Sequence, residues 1–312
     1  MPESEYELVI IGGGPAGVTA GIYAARARIK TLLVEKALIG GQVNYTERID
    51  NYPGFKNGIS SSELCQNFES QINELGVPVA RSEVKEIILK EKEKQVTLDG
   101  RTITSHTLIV ATGAVPNTLG VEGEERLTGR GVSYCATCDG PLFRNLRVAV
   151  VGGGDKALEE ALFLSKLARE VFVIHRRDAF RGVRILQEKA SSEKNIQVVW
   201  NSVVEKIDGN QSVQSITLRD VKTQERKELS LDGVFIFIGI HPNSELLKDK
   251  VKLDTLGCIV TDDRMETSER GVFAAGDVRS KLLRQVTTAV GDGAQAAFSA
   301  QRYLEDLKTP NG

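Results

Sequence analysis

Two of the four cysteines, Cys135 and Cys138, form a C-x-x-C within SYCATCDG. Thiols at that spacing can close a small disulfide and reopen it, taking up and releasing electrons in pairs. Asp139 follows directly, where a carboxyl group can trade protons with a thiol; in an ordinary turn the same residue would serve only as a cap. Zinc binding is the rival use of such a pair. A structural zinc site takes about four ligands, whereas Cys65 and Cys258 are isolated and the histidines, His106, His175 and His241, are unpaired in the chain. No metal site is expected.

Two glycine-rich turns accompany the cysteines. GGGPAG places Gly12, Gly14 and Gly17 in a G-x-G-x-x-G pattern after the apolar run Leu8 to Ile11. Such a turn lets a pyrophosphate approach backbone N–H groups, packs the following helix on the strand, and favours negative charge at the helix N-terminus. Glu35 ends the next apolar run, where a carboxylate can accept hydrogen bonds from a ribose diol. GGGDKA repeats the pattern, with Gly152, Gly154 and Ala157 as G-x-G-x-x-A and Asp155 and Lys156 between them. Counted from the first glycine, the position equivalent to Glu35 is His175, followed by Arg176 and Arg177, with Arg181 a turn later. Guanidinium groups in place of a carboxylate remove repulsion of a 2′-phosphate and add bidentate donors for it, which favours NADP over NAD. The plainer readings are a tight turn without ligand and a solvated basic loop.

The elements that must position these residues repeat as well. A strand, a glycine turn, a helix over Pro15 to Arg28 and a strand at Thr31 to Glu35 make one βαβ opening. Arg147 to Val151, the second turn, Lys156 to Leu167 and Glu170 to His175 make another. Alternating polar strands follow each: Glu83 to Leu89, Gln95 to Asp99 and Arg101 to Val110, then Gln197 to Ile207, Ser212 to Val221 and Glu225 to Phe237. The charged run Lys90 to Lys94 reads as a solvated hairpin turn. ATGAVPN at 111–117 and GIHPNS at 239–244 put Gly and Pro just after apolar strands, as chain crossings do. The expected class is α/β, with two Rossmann-like, three-layer (ββα) nucleotide-binding domains, the second inserted into the first. One comprises residues 1–115 and 245–312, ending in a helix over Gln285 to Leu307, and the other residues 116–244. Two crossings between the same domains form a natural hinge.

At 312 residues the chain is long enough for two cores. A formal net charge of -2 leaves no basic field for nucleic acid. The uncharged stretch Leu8 to Ala25 has the length of a membrane span, but its glycines and proline favour strand, turn and helix, so no membrane association is expected. Acidic residues before Leu8 and the absence of a basic leader argue against secretion, and scattered cysteines suit a reducing cytoplasm.

Taken together, the chain resembles the low-molecular-weight, bacterial-type thioredoxin reductase family over essentially its whole length. The resemblance rests on GGGPAG, GGQ at 40–42, NYPGF at 51–55, ATGA at 111–114, CATCDG at 135–140, GGGDKALEEA at 152–161, HRRDAFR at 175–181, GVFAAGDV at 271–278 and RQVTTAVGDG at 284–293. It implies that Gly12, Gly14, Pro15, Ala16, Gly17, Glu35, Gly41, Gln42, Asn51, Thr112 and Gly113 hold FAD. Gly276 and Asp277 would bind its ribityl and pyrophosphate region, and Arg284, Gln285 and Val286 would close over the flavin. NADPH would bind at Gly152, Gly154, Asp155, Lys156, Ala157, His175, Arg176, Arg177 and Arg181. Cys138 would lie nearest the flavin, Cys135 would attack a thioredoxin or thioredoxin-like disulfide, and Asp139 would donate the proton. The resemblance further implies a homodimer and a rotation that brings the nicotinamide and the cysteines to the flavin in turn. Lys156 departs from the family, which usually has a small residue there; pairing with the pyrophosphate is the expectation, and crowding of the nucleotide by its bulk the alternative. The alternatives are a relative fed by another donor such as ferredoxin, and a non-catalytic flavin redox sensor.

Overall fold

The computed structural model describes residues 5–46 and 48–309. The residues before Glu5, on which part of the no-leader expectation rests, lie outside these. The chain divides into two compact units, one running to Val115 and resuming at His241, the other spanning Pro116–Ile240.

In the first unit the run that has the length of a membrane span is broken as its glycines dictate, into the strand Tyr6–Ile11 and the helix Pro15–Arg26. Among the described residues no helix is long and apolar enough to cross a membrane. The sheet runs in the order Val79–Arg81, Thr31–Glu35, Tyr6–Ile11, Arg101–Val110, Lys94–Leu98, Glu86–Leu89, with Val272–Ala274 also on Arg101–Val110. Arg101–Val110 joins two sheet types. Its first half pairs antiparallel with Lys94–Leu98, and its second half pairs parallel with Val272–Ala274. Successive side chains of a strand point to opposite faces, so Leu8 and Ile10 enter the core beneath the helices while Val9 and Ile11 enter the core under the meander. All four are buried, which is why the strand reads as continuously apolar. At the strand end Gly12 has φ +106°, and a Cβ there would lie 2.3 Å from Ala111 O. A Cβ at Gly17 would lie 1.8 Å from Gly12 O. Only glycines let helix and strand approach so closely.

The second unit repeats the plan. Val132–Ser133, Gly233–Phe237, Arg147–Gly152, Glu170–Ile174 and Ile196–Val199 form an all-parallel sheet in that order. An antiparallel meander of Ser202–Asp208, Ser215–Asp220 and Arg226–Ser230 lies beside it in sequence. Ala149 and Val151 enter one core, Val148 and Val150 the other.

The structure corrects three expectations about elements. Gln197 to Ile207 is two strands, not one: Ile196–Val199 belongs to the parallel sheet and Ser202–Asp208 to the meander, with Asn201 turning the chain at φ +51°. Glu225 to Phe237 divides in the same way into Arg226–Ser230 and Gly233–Phe237. The solvated-turn reading of Lys90 to Lys94 holds for Lys90, Glu91 and Lys92, which are exposed, but Lys94 is only 2% exposed. Its Nζ donates to Lys90 O at 2.7 Å, so the ammonium caps the hairpin from inside.

Candidate functional site

In the first unit the glycine turn opens onto a cavity of about 750 Å³. Gly12, Gly14, Pro15, Ala16, Glu35, Gly41, Gln42, Thr112, Gly113, Gly276, Asp277, Gln285 and Val286 line it. The Glu35 carboxylate is fixed at the strand end: Gly13 N donates to Oε2 at 2.6 Å and Ala37 N to Oε1 at 2.8 Å. Each oxygen keeps a lone pair for a further donor. Three residues implied by the family resemblance do not line the cavity. Gly17 is the packing contact already described. Asn51 Nδ2 donates to Gln285 Oε1 at 2.9 Å, so it positions a lining residue. Arg284 donates to the carbonyls of Asp277, Arg279 and Lys281 and thereby fixes the loop that follows Asp277.

Asp277 tests whether a flavin nucleotide suits this cavity. Its Oδ1 is buried without a hydrogen-bond partner among the described residues, and burial holds the carboxyl above its ordinary range against the pull of Lys281 and Arg284. An unmet acceptor of this kind costs about 1–3 kcal/mol, and a hydroxyl of a bound polyol would satisfy it. The residues present therefore fit the cofactor that the resemblance implies. Sequence reasoning missed what holds this acid in place. Asp292, on the helix Val286–Lys308, accepts from Gly276 N at 3.1 Å and pairs with Arg279 at 3.1 Å and Lys281 at 2.7 Å, all largely buried. Ser82, Glu83 and Val84 also line the cavity. They were legible only from register, since Glu35 pairs with Arg81 and so brings the next residues alongside.

In the second unit Gly152 has φ +152°, and a Cβ there would meet Phe237 O at 2.4 Å and the Ala157 Cβ at 2.7 Å. The basic loop is fastened to this turn: Arg181 N and Gly182 N donate to Gly153 O, and Val183 N donates to Asp155 Oδ1 at 2.6 Å. Arg176, Arg177 and Arg181 are exposed, and none makes an ion pair among the described residues. His175 differs from its neighbours. It is buried against the turn, where a Cβ on Gly153 would lie 2.3 Å from its ring, and it packs beside Phe180 and Trp200. Its Nε2 lies 3.1 Å from Ala179 O, which can only accept, so that nitrogen carries the proton. Burial lowers its pKa, so the ring is a neutral support for the turn. The Lys156 ammonium pairs with Glu160 one turn along the helix Asp155–Ser165. The pair has a local cause, because Glu160 is buried and its Oε2 has no partner among the described residues.

Cys135 and Cys138 form a disulfide with Cα atoms 5.3 Å apart, at the start of the short helix Ala136–Asp139. Cys138 N donates to Cys135 Sγ at 3.2 Å. Burial pushes the Asp139 carboxyl above the usual range, opposed by a 2.6 Å hydrogen bond from Ser133 Oγ to Oδ2. Tyr134 donates to Glu124, whose buried carboxylate also accepts from Leu119 N and Gly120 N, so the segment leading to the cysteines is braced. Cys65 and Cys258 are free and buried. Among the described residues no cluster of His, Cys, Asp and Glu could hold a metal.

Comparison with known proteins agrees with this geometry. The family model described as pyridine nucleotide-disulphide oxidoreductase matches residues 6–293. A thioredoxin reductase of Treponema pallidum is 45% identical, covering 98% of this chain and 99% of that protein. One of Bacillus subtilis is 43% identical, covering 98% and 97%. The crystal structure of thioredoxin reductase from Streptococcus pyogenes MGAS5005 superposes with a TM-score of 0.93 at 44% identity, covering 96% of this chain and 98% of that one.

Proposed function

Because this chain belongs to the pyridine nucleotide-disulphide oxidoreductase family, we propose that it is a thioredoxin reductase that draws electrons from NADPH through FAD to the Cys135–Cys138 pair and on to a thioredoxin-like disulfide. The observation that carries the reading is the disulfide itself, closed beside a half-buried Asp139 whose pKa burial raises, in a unit that also bears a glycine turn fastened to a loop of three exposed arginines. FAD supplies two-electron chemistry when bound. Gly14 and the first turn of the helix Pro15–Arg26 offer backbone donors for its pyrophosphate, and Glu35 offers acceptors for its ribose. Asp277 would accept from a ribityl hydroxyl. Arg176, Arg177 and Arg181 would read a 2′-phosphate, over a turn that neutral His175 supports. Cys135, freed as a thiol, would attack the partner disulfide. The relatives' names support thioredoxin as the partner, and a homodimer remains part of the proposal through the family resemblance.

An anaerobic absorbance titration of the FAD-loaded protein tests the donor. Near-stoichiometric bleaching by NADPH and weak bleaching by NADH are expected. Reduction by dithionite but not by NADPH would instead point to another donor, such as ferredoxin, feeding the same cysteine pair.

A further inference from the structure

The Ser133 hydroxyl is buried at the end of the strand Val132–Ser133 and meets three groups of the redox centre. It lies 2.6 Å from Asp139 Oδ2, accepts from Cys135 N at 3.1 Å, and lies 3.3 Å from Cys135 O, which itself accepts from Asp139 N at 3.1 Å. A hydroxyl has one proton to give and two lone pairs, so it cannot donate to both oxygens at once. That limit defines two patterns on one set of heavy atoms. With Asp139 ionised, Ser133 donates to Oδ2. With Asp139 protonated on Oδ2, the acid donates to Ser133 Oγ, and the serine proton turns to Cys135 O.

We infer that Ser133 is a positioning residue for the dithiol centre, a hydroxyl rotor that holds Asp139 against the Cys135 backbone in both protonation states of the acid. The inference rests on the proposed use of Asp139 as proton donor. Reduction of the disulfide breaks the S–S bond and consumes two electrons and two protons to give two thiols. With FAD bound, its reduced form would supply the electron pair and one proton, the Asp139 carboxyl would give the second proton, and solvent would restore it. A half-buried acid that must cycle in this way needs a neighbour that is satisfied before and after the transfer, because an oxygen left unpaired away from water would penalise one of the two states. Ser133 meets that need without moving the backbone. Burial raises the Asp139 pKa and the Ser133 hydrogen bond lowers it, while the helix packed against this segment carries the charged residues Asp155, Lys156, Glu159 and Glu160.

The test follows the Asp139 carboxyl stretch by infrared difference spectroscopy in the oxidised, FAD-loaded protein, with the band identified by its loss in Asp139→Asn. The single-turnover rate of disulfide reduction is measured over the same pH range. Ser133→Ala is expected to move the carboxyl titration to higher pH, since it removes a donor to the ionised form, and to slow the single turnover by about tenfold. Ser133→Thr, which keeps a hydroxyl, should restore both. An unchanged carboxyl titration in Ser133→Ala, or an equal slowing by that substitution in an Asp139→Asn background, would overturn the inference. If Asp139→Asn alone leaves the turnover rate unaltered, the reading of Asp139 as proton donor falls, whatever the infrared band shows for the serine contact.

Discussion

Asp277 is the residue whose chemistry is least served by its own fold. Folding favours its protonated form, because burial raises its pKa above the ordinary 3.8. The stability linked to this group is therefore full below that value and is lost as pH rises through the folded pKa, leaving a penalty at neutral pH. Asp277→Ala is expected to raise the melting temperature of the FAD-free protein at pH 7, with the gain closing below about pH 4. The same change should weaken FAD binding about 10- to 100-fold, since it deletes the acceptor. Thermal melts with and without FAD check both halves, and a lower melting point of the FAD-free variant would make Asp277 a structural residue. The arginines of the basic loop allow a second prediction at this scale. A charge-assisted hydrogen bond contributes about 1.5–3 kcal/mol, so replacing Arg176, Arg177 and Arg181 by alanine should raise the Kd for NADPH by a factor of about 100 and that for NADH only a few-fold. Equal weakening of both nucleotides in fluorescence titrations would remove the 2′-phosphate assignment.

At the scale of elements, the helix Asp155–Ser165 shows how a departure in sequence can be absorbed locally. Lys156 is 61% exposed along its side chain and pairs with a Glu160 side chain that is 6% exposed. Removing the lysine strands a buried carboxylate, so Lys156→Ala should destabilise the second unit by about 1–3 kcal/mol. Glu160→Gln in the same chain should restore most of that, because a neutral amide tolerates burial better than an unpaired charge. Chemical denaturation of the single and double variants decides it; a neutral Lys156→Ala would show the pair to be incidental. The strand readings failed for a related reason. Alternation in Gln197 to Ile207 cannot reveal that Trp200 and Asn201 turn the chain from one sheet to another, because both sheets demand the same period of two. The helix Ser61–Glu74, by contrast, left a local trace that went unread: Ser60 caps Glu63 N, and Leu64, Cys65, Phe68 and Ile72 fall on one buried face.

On the scale of the whole molecule, each unit closes its own cores. The two apolar clusters of the first unit draw only on residues up to Ala111 and from Leu246 onward, and those of the second only on residues from Leu119 to Phe237. Where the chain departs and returns, the first unit is fastened to itself, as Thr112 Oγ1 donates to Asn243 O at 2.6 Å and Asn243 Nδ2 to Thr112 O at 2.8 Å. Replacing residues 116–240 by a short Gly/Ser linker should therefore leave a cooperatively folding protein that binds FAD, read out by its thermal transition and bound-flavin absorbance; an unfolded product would show that the first unit depends on the second. The repeated strand–turn–helix plan, the glycine turns and the redox pair are legible in residue order alone, because they follow from local spacing and from backbone geometry that only glycine permits. The contacts of Asp292 with Gly276, Arg279 and Lys281, of Lys156 with Glu160, of Lys94 with its hairpin and of Ser133 with Asp139 come from tertiary packing. Each depends on how deeply a polar group is buried and on which partner reaches it, and desolvation has no signature in the order of residues along a chain.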